Sequence, residues 1–161
     1  MTSRPRVERA VAMIAGPLSR LRESVEDDGH LFPLSAGSFD RQSRKALDAF
    51  LQRFQQVYDI FARKLMPAMH AYLVADARPR SFRDTLDAFE RLELIDSADR
   101  WEELNELRNR LIHEYALDDA TRARELNAAF ALTAMIEATA ERFARAIVGD
   151  NFNSQGGDPQ A

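Results

Sequence analysis

The chain has 161 residues, no cysteine and a formal net charge of −4 at pH 7, and 45% of its residues are hydrophobic. This length suits one domain with its own core, and the lack of cysteine excludes disulfides, cysteine-ligated zinc and thiol catalysis. The acidic balance argues against a protein that coats nucleic acid by bulk attraction, but it leaves a local RNA site open.

No stretch of the chain reaches the ~20 apolar residues that a membrane span needs. Residues 1–9 alternate arginine with polar residues and lack the apolar run of a secretory signal. We therefore expect a cytoplasmic protein without membrane contact.

Apolar residues recur at intervals of three and four in four or five segments, which predicts an all-α fold. The first segment runs from about Arg6 to Val25, and Pro17 should kink it or mark a restart. Residues 26–38 contain several turn formers and predict a connection. Three of its apolar residues should hold it against the body: Leu31, Phe32 and Leu34.

The second predicted helix is long and carries a broad apolar stripe. Ser38 or Asp40 could cap its start, because either side chain can accept a hydrogen bond from the first turn. Pro67 should bend this helix, which ends near Ala75.

Ser81 is placed to cap a short third helix, and Ser97 or Asp99 to start the fourth. Each of these helices has an apolar face. Short connections between amphipathic helices make neighbours antiparallel, which predicts an up-and-down bundle of four to five helices.

The fifth helix should start at Asp118 or Asp119 and be held by widely spaced apolar residues. Beyond it, residues 149–161 contain Gly156-Gly157 and Pro159 and show no periodicity. We predict a helical domain over residues 1–148 and a disordered tail over residues 149–161.

The stretch with the most chemical information is Leu-Arg-Asn-Arg-Leu-Ile-His-Glu-Tyr at residues 107–115. A histidine titrates near neutrality, so His113 could move the proton of a ribose 2′-OH or of a leaving oxygen. Arg108 could bind the phosphate and stabilise charge that builds at phosphorus, and Asn109 could orient either group. These groups suit RNA cleavage without a metal, and we expect no cofactor and no metal site.

Helix geometry constrains how these groups could meet. Asn109 and His113 are four residues apart and share a face, whereas Arg108 and His113 lie about 140° apart on a straight helix. The long arginine side chain, a helix that loosens near His113, or a two-fold axis could bring them to one phosphate. We favour the two-fold axis, which predicts a homodimer whose cleft is built by both chains.

The spacing Arg108-Asn109-x3-His113-x-Tyr115 resembles the signature of the HEPN superfamily, and most of all that of the HepT toxins in HEPN/MNT toxin–antitoxin pairs. The resemblance covers roughly residues 7–148, and its specific part is this motif. It agrees with an all-helical chain that carries the motif late.

The resemblance implies a role for each matching residue. Arg108 and His113 would be the catalytic pair of an endoribonuclease that leaves 2′,3′-cyclic phosphate ends, and Asn109 would support them. Tyr115 would be the residue that a minimal nucleotidyltransferase antitoxin AMPylates to silence the toxin. The connection at residues 26–38 is longer and more apolar than in a minimal family member.

Other arginines and histidines have plainer readings. Candidate RNA contacts are Arg110 and two arginines before the third helix, Arg78 and Arg80. Arg83 belongs to the same basic cluster as Arg78 and Arg80. For all four arginines, a charge exposed to solvent is the more common state. His70 lies among apolar residues and is expected at the edge of the core.

Two further functions compete with the toxin. The same fold could serve as the non-catalytic, nucleotide- or substrate-binding subunit of a two-component nucleotidyltransferase, with the same polar groups binding phosphate. The other is a phosphotransfer bundle, in which an exposed helix histidine is phosphorylated. Such a bundle is expected to have a lysine three residues after the histidine and a glycine next to that lysine. This chain has Ala116 and Leu117 at those positions, which argues against a phosphotransfer function.

Overall fold

The computed structural model describes residues 4–74, 81–113 and 118–155, with side chains through residue 149. Within these ranges the chain is helical and has no β-strand, which confirms the all-α class. The α-helices are α1 (Arg4–Asp28), α2 (Arg41–Ile60), α3 (Met66–Leu73), α4 (Phe82–Arg91), α5 (Ala98–His113) and α6 (Asp119–Gln155). Because a π-helical turn joins α2 to α3, the described chain forms five helical rods, in line with the predicted four to five.

Helix α1 runs through Pro17 without a restart, one of the two predicted outcomes. A proline in a helix removes one backbone hydrogen bond, here the one that would reach the Met13 carbonyl. Ile14 and Leu21, on either side of Pro17, are both buried in the same core. Packing on both sides offsets the lost hydrogen bond, as tertiary contacts often outweigh local preference.

The connection between α1 and α2 contains the 3₁₀ turns Gly29–Leu31 and Ala36–Ser38. Phe32 stacks on Phe130 of α6 with ring centroids 4.1 Å apart. The Asn127 side chain accepts a hydrogen bond from the Leu34 backbone N–H at 2.7 Å and donates one to the Leu34 carbonyl at 3.0 Å. The prediction that apolar residues pin this connection is therefore confirmed.

Asp40 caps α2 by accepting hydrogen bonds from the N–H groups of Gln42 and Ser43. The irregularity expected at Pro67 lies just before it, in the π-helical turn Phe61–Leu65. In a regular helix the Pro67 ring would press on the Arg63 carbonyl, and a wider turn relieves that clash. The rod ends at Leu73, and the predicted end at Ala75 lies outside the described residues.

Three side-chain caps fix where the later helices begin. Ser81 accepts from the Asp84 N–H while Asp84 accepts from the Ser81 N–H, which makes a capping box for α4. Ser97 accepts from the N–H of Arg100 at the start of α5. Asp118 accepts from the N–H of Thr121 at 2.7 Å, so the predicted start of the last helix is confirmed.

The end of α6 differs from the predicted boundary between residues 148 and 149. The helix continues through Gln155, so the first seven residues of the predicted tail are helical, and residues 156–161 lie outside the described ranges. Gly149 lowers helix propensity but does not stop a helix that is already propagating.

Four fully buried aromatic rings form the centre of the core, and we call them the aromatic cluster: Phe61, Phe89, Trp101 and Phe143. The centroids of Phe61 and Trp101 lie 5.2 Å apart, and Phe143 lies 5.5 Å from Phe61 and 5.1 Å from Phe89. The rings come from the π-helical turn, α4, α5 and α6, so the cluster joins four elements. No helix within the described ranges is long and apolar enough to cross a membrane.

His70 is expected to make the stability of the fold sensitive to acid. It is 4% exposed, and its ring meets Phe89 edge-on. His70 therefore lies deeper in the core than the core edge predicted from the sequence. Burial lowers the pKa of His70 below its ordinary value of 6.5, and the Asp84 carboxylate partly opposes this. Unfolded chains therefore bind a proton that folded chains do not, so stability should fall as the pH drops through about 6.5.

Replacing His70 with glutamine should flatten this dependence. The melting temperature of wild type and of His70→Gln would be measured between about pH 7 and pH 5. His30→Gln is the matched control, because His30 is exposed. Equal slopes for wild type and His70→Gln would contradict a contribution of His70.

Candidate functional site

Helix α5 presents one face to the core and another to solvent. Its N-terminal half is anchored by Trp101, Leu104 and Leu107, all buried. The helix is regular through His113, its last described residue. The motif residues therefore sit on the second half of a helix whose first half is firmly packed.

Arg108 points into the protein and not towards solvent. The residue is 8% exposed, and its Nη2 forms an ion pair with Asp59 Oδ1 of α2 at 2.6 Å. Its Nη1 donates to Asn109 Oδ1 at 3.2 Å. Nε is buried and has no hydrogen-bond partner among the described residues. The guanidinium is thus held between an acidic residue of α2 and the amide that follows it in sequence.

Asn109 and His113 are both exposed. They are four residues apart in a regular helix, so they share a face, as the spacing predicts. The structure therefore brings Asn109 and His113 together on the surface and places Arg108 on the inner side, connected to them through Asn109.

This arrangement bears on how Arg108 and His113 could serve one phosphate. The arginine side chain is directed to Asp59 and α5 does not loosen before His113, so neither of those two routes is seen in the described residues. The third predicted route, a second copy of the chain placed by a two-fold axis, stays a prediction.

A second polar contact joins α2 to α5 beside the Arg108 ion pair. Tyr58 Oη donates to Asn105 Oδ1 at 2.7 Å. Burial is the main cause that raises the pKa of Tyr58 well above its ordinary range, the charge of Arg108 lowers it, and the charge of Asp59 raises it further. The phenol therefore stays neutral and acts as a hydrogen-bond donor at this contact.

The other predicted contacts divide into three groups. Arg110 lies 3.5 Å from Glu125 of α6 and is partly exposed. Arg83 meets the carboxylates of Asp87, Asp99 and Glu102 at 2.6–2.7 Å, so its charge is matched and it ties α4 to α5. Three further candidates lie outside the described residues: Arg78, Arg80 and Tyr115.

Sequence patterns did not identify Asp59 or Asn105 as part of this site. The one available signal is that Asp59 is flanked by two apolar residues on each side, in Val-Tyr-Asp-Ile-Phe at residues 57–61. An acidic residue in such a setting usually needs a cationic partner. Which cation it meets depends on how α2 packs against α5.

Comparison of the chain with protein-family models, with curated proteins and with solved structures gave no match.

Proposed function

We propose that this chain is a HEPN-type, metal-independent endoribonuclease toxin of a toxin–antitoxin pair. The observation that supports this most is that Asn109 and His113 share an exposed face of α5, with the Arg108 guanidinium directly behind Asn109. An amide, an imidazole and a guanidinium in one place are suited to phosphodiester chemistry.

In the proposed reaction an imidazole at His113 accepts the proton of a ribose 2′-OH. The 2′-oxygen then forms a bond to phosphorus while the bond from phosphorus to the 5′-oxygen breaks. The departing 5′-oxygen takes up a proton from an imidazolium, and the products carry a 2′,3′-cyclic phosphate and a 5′-hydroxyl. Asn109 donates to a phosphate oxygen, and Arg108 supplies positive charge close to it.

The proposal includes an up-and-down bundle that works as a homodimer. One copy presents His113 and Asn109 on the outer face of α5 but keeps Arg108 behind them. A two-fold axis beside this face would bring two such faces together, so that one imidazole acts as base and the other as acid.

Regulation in the proposal acts on Tyr115, two residues beyond His113. A minimal nucleotidyltransferase antitoxin would transfer AMP to the tyrosine oxygen. The added phosphate would repel the phosphate of RNA, and the adenosine would fill space that the substrate needs.

Incubation of the purified chain with labelled RNA in EDTA tests the proposal. Cleavage that persists in EDTA and is much slower in Arg108→Ala is the expected result, because the proposed groups need no metal. Intact mass of the protein, measured on the same sample, reports whether Tyr115 already carries AMP. An unmodified, folded chain that leaves RNA intact would contradict the proposal.

One observation favours a second function, a non-catalytic nucleotide-binding subunit. Arg108 is paired with Asp59 and little exposed, which suits a residue that shapes a phosphate-binding face without reaching the reacting atoms. Saturable binding of a nucleotide, lost in Asn109→Ala, together with intact RNA would support this function.

A further inference from the structure

We infer that Asp59 is a positioning residue for the α5 site: its carboxylate holds the Arg108 guanidinium, and through Arg108 it orients the Asn109 amide on the face that carries His113. This inference rests on the proposed function, because it assigns Asn109 the task of meeting the substrate phosphate.

The inference begins with the two contacts of Arg108. Asp59 Oδ1 lies 2.6 Å from Nη2 on one side, and Asn109 Oδ1 lies 3.2 Å from Nη1 on the other. The Arg108 side chain is 10% exposed, whereas that of Asp59 is 34% exposed. The pair therefore lies at the boundary between core and solvent. It connects α2 to α5 and, through the hydrogen bond of Arg108 to Asn109, to the outer face of α5.

The orientation of Asn109 follows from hydrogen-bond chemistry. A guanidinium only donates, so Asn109 must turn its oxygen towards Arg108. Its two N–H donors are then turned away from the guanidinium, and Asn109 as a residue is exposed. A phosphate oxygen needs donors there, and an amide turned the other way would offer it an oxygen instead.

Asp59 is the contact that keeps Arg108 in this position. Nε makes no hydrogen bond among the described residues, and Asp59 Oδ1 meets Nη2 as an ion pair without hydrogen-bond geometry. Among the described residues, Asp59 and Asn109 are the polar partners of this nearly buried cation. Without the carboxylate, a buried charge would be left with one neutral acceptor, and the side chain would gain by moving towards water. Asn109 would then lose the donor that fixes its amide.

The geometry also explains why Arg108 can be essential although it is nearly buried. A straight α5 separates Arg108 from His113 by about 140°. Because Asn109 is on the His113 face and bonded to Arg108, the arginine can act on the substrate through the amide. Arg108 and Asp59 then form one unit behind the surface that touches RNA.

Asp59→Asn tests this positioning role, since it keeps the size of the side chain and removes its charge. Asp48→Asn is the matched control, because Asp48 lies on the same helix and pairs with Arg122 at 3.1 Å, away from α5. Asp59→Glu keeps the charge on a longer side chain. If Asp59→Asn folds poorly, Asp59→Glu is the variant in which the Asn109 amide and the cleavage rate are measured.

The first readout is the NMR signal of the Asn109 side-chain amide, assigned by its loss in Asn109→Asp. Asp59→Asn and Arg108→Ala should shift this signal in the same direction, Asp59→Glu should restore it in part, and Asp48→Asn should leave it unchanged. An Asn109 signal that is unmoved in Asp59→Asn would overturn the inference.

The second readout is single-turnover cleavage of RNA. Asp59→Asn should lower the rate by about 10²-fold, as misplacement of a binding group does. The double variant Asp59→Asn/Arg108→Ala should be no slower than Arg108→Ala, because residues that act as one unit are not additive. If the two losses of cleavage rate add in the double variant, Asp59 does not act through Arg108, and the inference is contradicted.

The two readouts separate this inference from the proposed function. If the wild type does not cleave RNA but the Asn109 signal responds to Asp59→Asn, the nuclease proposal fails and the positioning of Asn109 stands. If the wild type cleaves and Asp59→Asn cleaves equally fast, the nuclease stands and the positioning role fails.

Discussion

Replacing His113 with alanine is expected to lower the rate of RNA cleavage by about 10²- to 10⁴-fold, the range that a positioned acid–base group contributes. His113 lies exposed at the end of α5, so the substitution removes the imidazole without opening the core. The free energy of unfolding should therefore change by no more than about 0.5 kcal/mol. Single-turnover rates and denaturant unfolding of the same preparation measure the two effects.

His30→Ala is the control for this prediction. His30 is also exposed and lies in the connection after α1. Its Nδ1 forms a hydrogen bond with the Asp27 carbonyl oxygen at 3.0 Å. Its loss should leave the cleavage rate unchanged. Equal losses in His113→Ala and His30→Ala would point to a general effect of removing surface histidine and contradict a catalytic role for His113.

Replacing Trp101 with alanine should cost about 3–5 kcal/mol of unfolding free energy, as truncation of a large buried aromatic does. Trp101 is fully buried and packs on Phe61 in the aromatic cluster that joins the π-helical turn, α4, α5 and α6. For a chain of this size the melting temperature should fall by roughly 6–20 °C. Circular dichroism measures this, because Trp101 is the one tryptophan and its fluorescence is lost.

Leu92→Ala provides the comparison for Trp101→Ala. Leu92 is a large apolar residue that is 48% exposed, so its truncation should change the unfolding free energy by no more than about 0.5 kcal/mol. A loss below about 1 kcal/mol in Trp101→Ala would show that the aromatic cluster does not hold the helices together.

Helix starts could be predicted from the sequence because a cap is a local interaction. Ser81, Asp118 and Asp40 each accept hydrogen bonds from N–H groups two or three residues later, and such pairs are visible in the sequence. The apolar residues of the connection after α1 were also recognisable, since large apolar groups in a loop need a surface to cover.

Helix interruptions and ends were predicted less well because they depend on packing. Pro17 does not break α1, the irregularity near Pro67 takes the form of a π-helical turn before it, and α6 continues to Gln155. In each case a local signal competes with contacts or with propagation of an established helix, and the sequence shows only the local signal.

The candidate site could be located from the sequence, but its internal contacts could not. The spacing of Asn109 and His113 predicts their shared face, because both lie on one helix. The ion pair between Asp59 and Arg108 joins residues that are 49 positions apart, on helices whose packing the sequence does not show. For that reason the burial of Arg108 was not foreseen.

End-group analysis of the RNA products tests the central proposal most directly. Wild type and His113→Ala would be incubated with a defined RNA in EDTA, and the products analysed by mass spectrometry. The proposed mechanism predicts 2′,3′-cyclic phosphate and 5′-hydroxyl ends with wild type, and RNA that is still largely intact with His113→Ala at the time when wild type has cleaved most of it. Products with 5′-phosphate ends, or the same products formed equally fast by both proteins, would contradict 2′-OH attack assisted by His113.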